Sequence, residues 1–307
     1  MGVLVTTAAI VCATALGGAA ERRRPAQVAR LARRALVLIL YCLLPPVIFF
    51  NLASSTISLD NGIGLLLGIV ALAVAATLTW FVGSRVMHLA RHRVGAMVCC
   101  VLAINSSYLG YPLTVAILGR DRLPTAVLFD VLVSSPSLLL GAFAVGAAFG
   151  TKAGGSAGGR LRAFLTRNPP LYAAILGIIA PRSLAPSALV DITQTLVIAM
   201  LPIGFFAVGA TLAEGAEHGE LPIPPPLTRP VLVTLTGRLL LAPGLLVLLA
   251  APLIHLPAPY LLIAAMPTGI NAMVVSHAYG LDDQIVAESI VWSTALVIGA
   301  ALLSLAF

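Results

Sequence analysis

Two long apolar segments of this sequence hold polar residues at their centres, where the residue types and spacing could do chemistry. In the run 94–119 these are Asn105, Ser106, Ser107, Tyr108, Gly110 and Pro112, and in the run 260–280 they are Pro267, Thr268, Gly269 and Asn271. Each run is long enough to cross a bilayer, which takes about 20 apolar residues. Proline removes a backbone donor and clashes one turn back, so the pattern predicts two helices broken inside the membrane.

A broken helix presents free backbone N–H groups near the middle of the bilayer. That end carries roughly half a positive charge and attracts anions, an effect worth about 0.3–1 kcal/mol. The side chains able to donate to a carboxylate there are Asn105, Ser106, Ser107, Thr268 and Asn271. Paired interruptions in two halves of a chain indicate the binding site of a transporter. The alternative for each break taken alone is a packing kink.

Three ionisable residues lie within the apolar segments, namely Asp130, His277 and Glu288. Charged groups inside a membrane are costly and usually functional. Asp130 and Glu288 could bind a coupling proton or sodium ion, and histidine titrates near neutral pH. For Glu288 and His277 the alternative is contact with water close to the membrane surface.

The composition sets the class of protein in which these residues must work. Of the 307 residues, 60% are hydrophobic and 9% are charged, which predicts an all-α, multi-pass membrane protein embedded in a lipid bilayer. The net charge of +7 comes from short clusters between apolar runs, so it is not the footprint of a nucleic-acid-binding protein. The four cysteines all fall in apolar runs, and we expect no metal or other cofactor.

Ten membrane spans are predicted from the apolar runs. They are Val3–Ala20, Ala35–Ala53, Ile63–Met87, Val94–Gly119, Leu123–Gly150, Pro169–Ala180, Ile192–Ala213, Pro230–Ile254, Pro259–Gly280 and Gln284–Phe307. With this count, nearly all Lys and Arg residues fall on one face, with Arg238 near a helix end assigned to it; only Arg120, Arg122 and Arg182 fall on the other. The positive-inside rule makes the first face cytoplasmic and places both termini outside.

The two halves of the chain resemble each other. Aligning Pro46 with Pro202 superimposes the pattern P-x-x-F-F, and a broken segment follows at a similar distance in each half. Five spans per half is an odd number, so the second repeat must be inverted. The predicted divisions are a first repeat at 1–150, a cytoplasmic linker at 151–168 that is rich in glycine, and a second repeat at 169–307.

These motifs resemble those of the auxin efflux carrier family. The stretch Asn105–Pro112 is similar to the N-x-G-x-x-G-x-P type motif of its fourth span, although Ser107 stands where glycine is frequent. Leu44-Pro45-Pro46 resembles its second-span motif, and 266–294 resembles its ninth and tenth spans. The resemblance carries binding roles over to Asn105, Gly110, Pro112, Pro267 and Asn271.

The resemblance implies a secondary transporter of the bacterial inner membrane. It implies a scaffold and homodimer surface from spans one, two, six and seven, and a transport domain from spans three to five and eight to ten. Spans four and nine would cross at the substrate, and the mechanism would be elevator-type alternating access. The implied substrates are small carboxylates such as malate, malonate or auxin-like acids.

Three other readings of the sequence remain open at this point. A sodium-coupled symporter like those of the bile acid family would need a cation site near the crossing, which only Asp130 and Glu288 could supply. A solute sensor would bind without transport. An intramembrane enzyme is disfavoured, because an aspartyl protease needs two close aspartates and a zinc site needs paired ligands.

Overall fold

A computed structural model describes residues 3–55, 59–152, 169–217 and 225–303 of the chain. These residues form helices and connecting turns, and their one β-type feature is an isolated bridge between Ile104 and Thr268. The predicted all-α fold is therefore confirmed. Most of the predicted linker at 151–168 lies outside the described residues.

Twelve helical stretches follow one another within the described residues. They are α1 (Val3–Arg23), α2 (Gln27–Ser54), α3 (Gly62–Val86), α4 (Arg91–Leu102), α5 (Tyr111–Ile117), α6 (Arg120–Phe149), α7 (Pro169–Ile179), α8 (Ser187–Glu217), α9 (Arg229–Ala250), α10 (Ala258–Ala264), α11 (Asn271–Tyr279) and α12 (Asp283–Leu303).

Six helices among the described residues are long and apolar enough to cross a membrane, which supports a multi-pass membrane protein. They are α2, α3, α6, α9, α12 and the Ser187–Ala207 part of α8. α7 is shorter and also apolar. The count of ten spans and the inverted repeat stay predictions.

Proline shapes several of these helices in the same way. Six π-helical turns occur in the described residues, and two of them, at Val82–Val86 and Ser137–Ala142, precede no proline. The other four lie at Ile39–Leu43, Ser106–Gly110, Asp130–Ser134 and Thr236–Leu241. Each of these four contains the residue four positions before a proline, these being Pro45, Pro112, Pro136 and Pro243. A proline ring displaces the carbonyl four residues earlier, and a wider turn accommodates it. Such turns frequently occur at functional sites.

The helices pack in two groups. In one, α1 lies along α8 and α7 lies along α2. In the other, α4 is buried from Val94 to Leu102 and is surrounded by α3, α6, α9, α11 and α12. The predicted scaffold would include the helices of the first group and the predicted transport domain those of the second, and this division stays a prediction.

Glycines set the close approach of α1 and α8. A Cβ atom on Gly17 would lie 2.0 Å from the carbonyl oxygen of Phe206, and one on Gly209 would lie 2.0 Å from that of Thr14. The clash in each case is with backbone, which cannot rotate away. Any larger residue must therefore separate the two helices.

We expect Gly17→Ala to lower the apparent melting temperature of the purified protein, since overpacking costs about 1–3 kcal/mol. The measurement is size-exclusion chromatography of the detergent-solubilised protein after heating. Gly244→Ala is the matched control, because Gly244 is exposed on α9 with nothing within 4 Å of its Cβ position. Equal melting temperatures for the two variants would contradict the close packing of α1 on α8.

Candidate functional site

The two predicted breaks are hydrogen-bonded to each other. The N–H of Asn105 donates to the carbonyl of Pro267 at 2.9 Å, and the N–H of Gly269 donates to that of Ala103 at 2.8 Å. These bonds satisfy backbone groups that the ended helices leave free, as burial away from water requires. A Cβ on Gly269 would lie 2.9 Å from the carbonyl oxygen of Ile104, so the approach depends on glycine.

The carboxyl ends of α4 and α10 converge on one buried side chain, Arg238 of α9. Its guanidinium donates to the carbonyls of Met266 at 2.9 Å and Val101 at 3.2 Å, and also to Ala264. The side chain is fully buried. A cation at this place satisfies the last carbonyls of two helices and opposes the negative ends of both helix dipoles.

The amino ends of the second half-helices lie beside a small cavity of about 60 Å³. One end is the π turn that begins at Ser106 and leads into α5, and the other is Asn271 at the start of α11. The cavity is lined by residues of both breaks and by the Asp130–Leu138 part of α6. The breaks thus direct their positive dipole ends to one side and their negative ends to Arg238.

Asp130 lies at this positive side and collects three hydroxyl groups. Ser106 Oγ donates to Oδ1 at 2.5 Å, while Ser107 Oγ and Tyr111 OH donate to Oδ2 at 2.9 and 2.5 Å. The aspartate is buried, with 4% of its surface exposed. Hydrogen bonds to a carboxylate stabilise its charged form. Because the three hydroxyl groups belong to the first break and Asp130 belongs to α6, these bonds also link the two elements.

A larger cavity of about 460 Å³ adjoins the same residues. Its polar lining consists of Ser107, Tyr108, Asp130, Ser135 and Asn271, along with Tyr41. The rest is apolar and comes from α2, α6, α7 and Val274 of α11. Apolar walls with a few convergent polar groups are typical of sites for small molecules.

Most of the residues predicted from the breaks are brought together here. Asn105, Ser106, Ser107, Tyr108, Gly269 and Asn271 line one or both cavities, as does Asp130.

The other residues of the breaks lie elsewhere. A Cβ on Gly110 would meet Ile263 at 2.7 Å, so this glycine serves packing. Pro112 lines a separate cavity of about 80 Å³ with Pro202. Pro267 supplies a carbonyl to the crossing, and Thr268 points into the core, donating to the carbonyl of Cys100 at 3.1 Å.

His277 and Glu288 lie outside both cavities. The side chain of His277 is 61% exposed, and its Nδ1 lies 3.5 Å from Asp283 Oδ1. Glu288 is 1% exposed and accepts a hydrogen bond of 2.7 Å from Gln284. Contact with water, the alternative to a coupling role for both residues, agrees with the exposed His277 and not with the buried Glu288, and neither residue lines the cavities beside Asp130.

Arg238 was the residue that sequence reasoning missed. Assigning it to the basic cytoplasmic face was wrong, because the side chain is buried at the crossing. The available signal was an arginine within the apolar run 230–254, five positions before Pro243. Its three acceptors lie at the end of α4 and at or just after the end of α10, so no sequence pattern near Arg238 could have identified them.

Comparison with known proteins gives a match for part of the chain. Residues 161–305, somewhat less than half of it, match the family model described as Membrane transport protein (Mem_trans). A search of curated proteins found no significant match. The fold and this match define the class as a membrane transporter. The resemblance to auxin efflux carrier family transporters is confirmed on this match, which includes the second break and Arg238.

We expect Arg238→Met to destabilise the protein strongly, because three buried carbonyls would lose their donor at about 1–3 kcal/mol each. Arg238→Lys should be intermediate, since an ammonium keeps the charge without the planar fork. Thermal unfolding in detergent is the measurement, and Arg85→Met at an exposed position is the control. A wild-type melting temperature for Arg238→Met would remove the capping role.

Proposed function

We propose that the protein is a secondary transporter of small organic anions, which bind in the larger cavity beside the crossed breaks. The observation that carries this proposal is the position of that cavity. It is bordered on one side by the first break and the start of α11, and on the other by α2 and α7. The family match indicates a membrane transporter, and the residues that line the cavity indicate the kind of substrate.

The lining suits an organic acid with an apolar body and one carboxylate. The apolar walls would hold the body, while Asn271 and Tyr108 offer an amide and a hydroxyl group to the charged end. Asn271 opens α11, whose amino end favours an anion. None of the described residues lining this cavity is Lys or Arg. An anion held by dipoles and neutral donors is released more readily than one paired with a buried cation.

Helices of the two proposed domains face each other across the cavity, and this arrangement supports an elevator-type mechanism. One wall of the cavity comes from the proposed scaffold, through Leu44 and Ile48 of α2 and Pro170 and Ala174 of α7. The opposite wall comes from α6 and α11 of the proposed transport domain. A binding site at the boundary between two packed groups can be carried by one of them past the other.

We infer from the chain positions of its lining residues that the cavity opens toward the face with the basic segments. Leu40 follows the basic stretch 21–34, Phe143 precedes Lys152, and Pro170 follows Arg167 along the chain. By the positive-inside rule this face is cytoplasmic. We therefore take the arrangement to be the inward-facing state of the transport cycle.

Uptake of labelled carboxylates into proteoliposomes tests the proposed substrate class, with malate, malonate and an auxin-like acid in the panel. Asn271→Ala and Tyr108→Phe should each raise KM by about tenfold, the effect of losing about 1.4 kcal/mol of substrate binding.

The matched control for Tyr108→Phe is Tyr172→Phe, since Tyr172 is 46% exposed and lines neither cavity. Its KM should equal that of the wild type. No saturable uptake of any carboxylate by folded protein would reject the proposed substrate class.

Cysteine labelling tests the inward-facing assignment. In a background with Cys12 and Cys42 replaced by serine, Leu139→Cys should react with a membrane-impermeant maleimide added from the cytoplasmic side. Leu139 lines the larger cavity. Leu248→Cys is the control, because Leu248 is 69% exposed on the outer surface of α9, where lipid should shield it. Labelling of Leu139→Cys from the outer side alone would reverse the assignment.

A further inference from the structure

Two buried oxygen atoms beside Asp130 have no hydrogen-bond partner among the described residues. They are Oδ1 of Asn105 and Oγ of Ser134. Asn105 is 9% exposed and Ser134 is 3% exposed, and both line the small cavity. An unpaired buried acceptor costs about 1–3 kcal/mol. The cavity therefore holds polar atoms that require a partner beyond the chain itself.

The hydroxyl groups around Asp130 can offer only lone pairs to such a partner. Ser106, Ser107 and Tyr111 each have one proton, and each donates it to the carboxylate. A hydroxyl whose proton is committed keeps only its acceptor capacity. The amide oxygen of Asn105 is likewise an acceptor. The surface of the small cavity is thus rich in oxygen atoms that attract positive charge.

The charge and size of the cavity restrict the class of cation. Asp130 is the one charged side chain among the described residues that line it. Divalent cations in proteins are usually held by more carboxylates, whereas one carboxylate with neutral oxygens balances a single charge. All the candidate ligands are hard oxygen donors. A volume of about 60 Å³ exceeds the 10–15 Å³ or so that one water needs.

We propose that this cavity is a binding site for one small monovalent metal cation of the sodium class. Asp130, Asn105 Oδ1 and Ser134 Oγ are its main ligands, with the oxygens of Ser106 and Ser107 completing the set. Asp130 and Ser134 begin and end one π-helical turn of α6, and both line the cavity. Asn105 reaches the same point from the first break. Unwound backbone at a broken helix commonly contributes to sodium sites in transporters.

The site would couple cation binding to anion binding, a step that rests on the proposed function. The small and large cavities share Ser107, Tyr108, Asp130 and Asn271. An anion entering the large cavity meets the negative charge of Asp130, and a cation on Asp130 offsets that charge. Each ion therefore raises the affinity of the other, by the same factor in both directions.

The test is the thermal stability of the purified full-length protein in sodium chloride, against choline chloride at equal ionic strength and without substrate. Sodium should raise the apparent melting temperature saturably, by about 3–6 °C. The rise should be lost in Ser134→Ala, Asn105→Ala and Asp130→Asn. Ser289→Ala is the matched control, because Ser289 is fully buried and lines neither cavity; it should keep the rise.

Two results would overturn the site. One is an equal melting temperature in sodium and choline for the wild type. If stability then depends on pH and Asp130→Asn removes that dependence, the occupant is a proton. The other is a sodium effect that persists unchanged in Ser134→Ala and Asn105→Ala, which would place the cation elsewhere.

Uptake with and without a sodium gradient separates this proposal from the proposed function. Stabilisation by sodium with no carboxylate uptake would keep the site and reject the substrate class. Carboxylate uptake that ignores sodium, in protein that sodium does not stabilise, would keep the transporter and reject the site.

Discussion

The arrangement depends on one constraint, which is that backbone groups freed inside a membrane need partners within the protein. The breaks after α4 and α10 satisfy part of that need in each other, through the bonds Asn105–Pro267 and Gly269–Ala103. Three further carbonyls, those of Val101, Ala264 and Met266, accept hydrogen bonds from Arg238. Because these partners lie on three separate elements, the breaks can exist only as a crossed pair. The cavity beside Asp130 thus lies where the two breaks meet to pair their free backbone groups.

The crossing of the two breaks also places the negative helix ends on one side and the positive helix ends on the other. The carboxyl ends of two helices meet the guanidinium of Arg238, and the amino ends of two others meet the side of the crossing where Asp130 lies. Two opposite buried charges are thereby held apart, each facing the dipole ends that favour it. The negative ends are already neutralised by the protein, whereas the positive side borders open space. The ligands proposed above would bind in that open space, beside Asp130.

Proline has a second role beyond ending helices. The turns that hold Asp130 and Arg238 are both π-helical, and each lies just before a proline, Pro136 or Pro243. A widened turn redirects side chains relative to a regular helix. Both charged groups therefore sit where the helix is locally adjusted. The spacing of charge and proline was visible in the sequence, but its meaning depended on what lies opposite each turn.

The sequence by itself determined that the protein is helical, lies in a membrane and has two interrupted segments. These properties follow from local composition, since apolar runs, Pro and Gly act on their own stretch of chain. Residues 105–108, Gly269 and Asn271, which line the small cavity, could be singled out for the same reason. Only the tertiary structure decided that Arg238 caps the crossing, that Thr268 faces the core and that His277 and Glu288 stand apart. Those outcomes depend on the rotation of each helix against distant neighbours, which packing sets and no local pattern records.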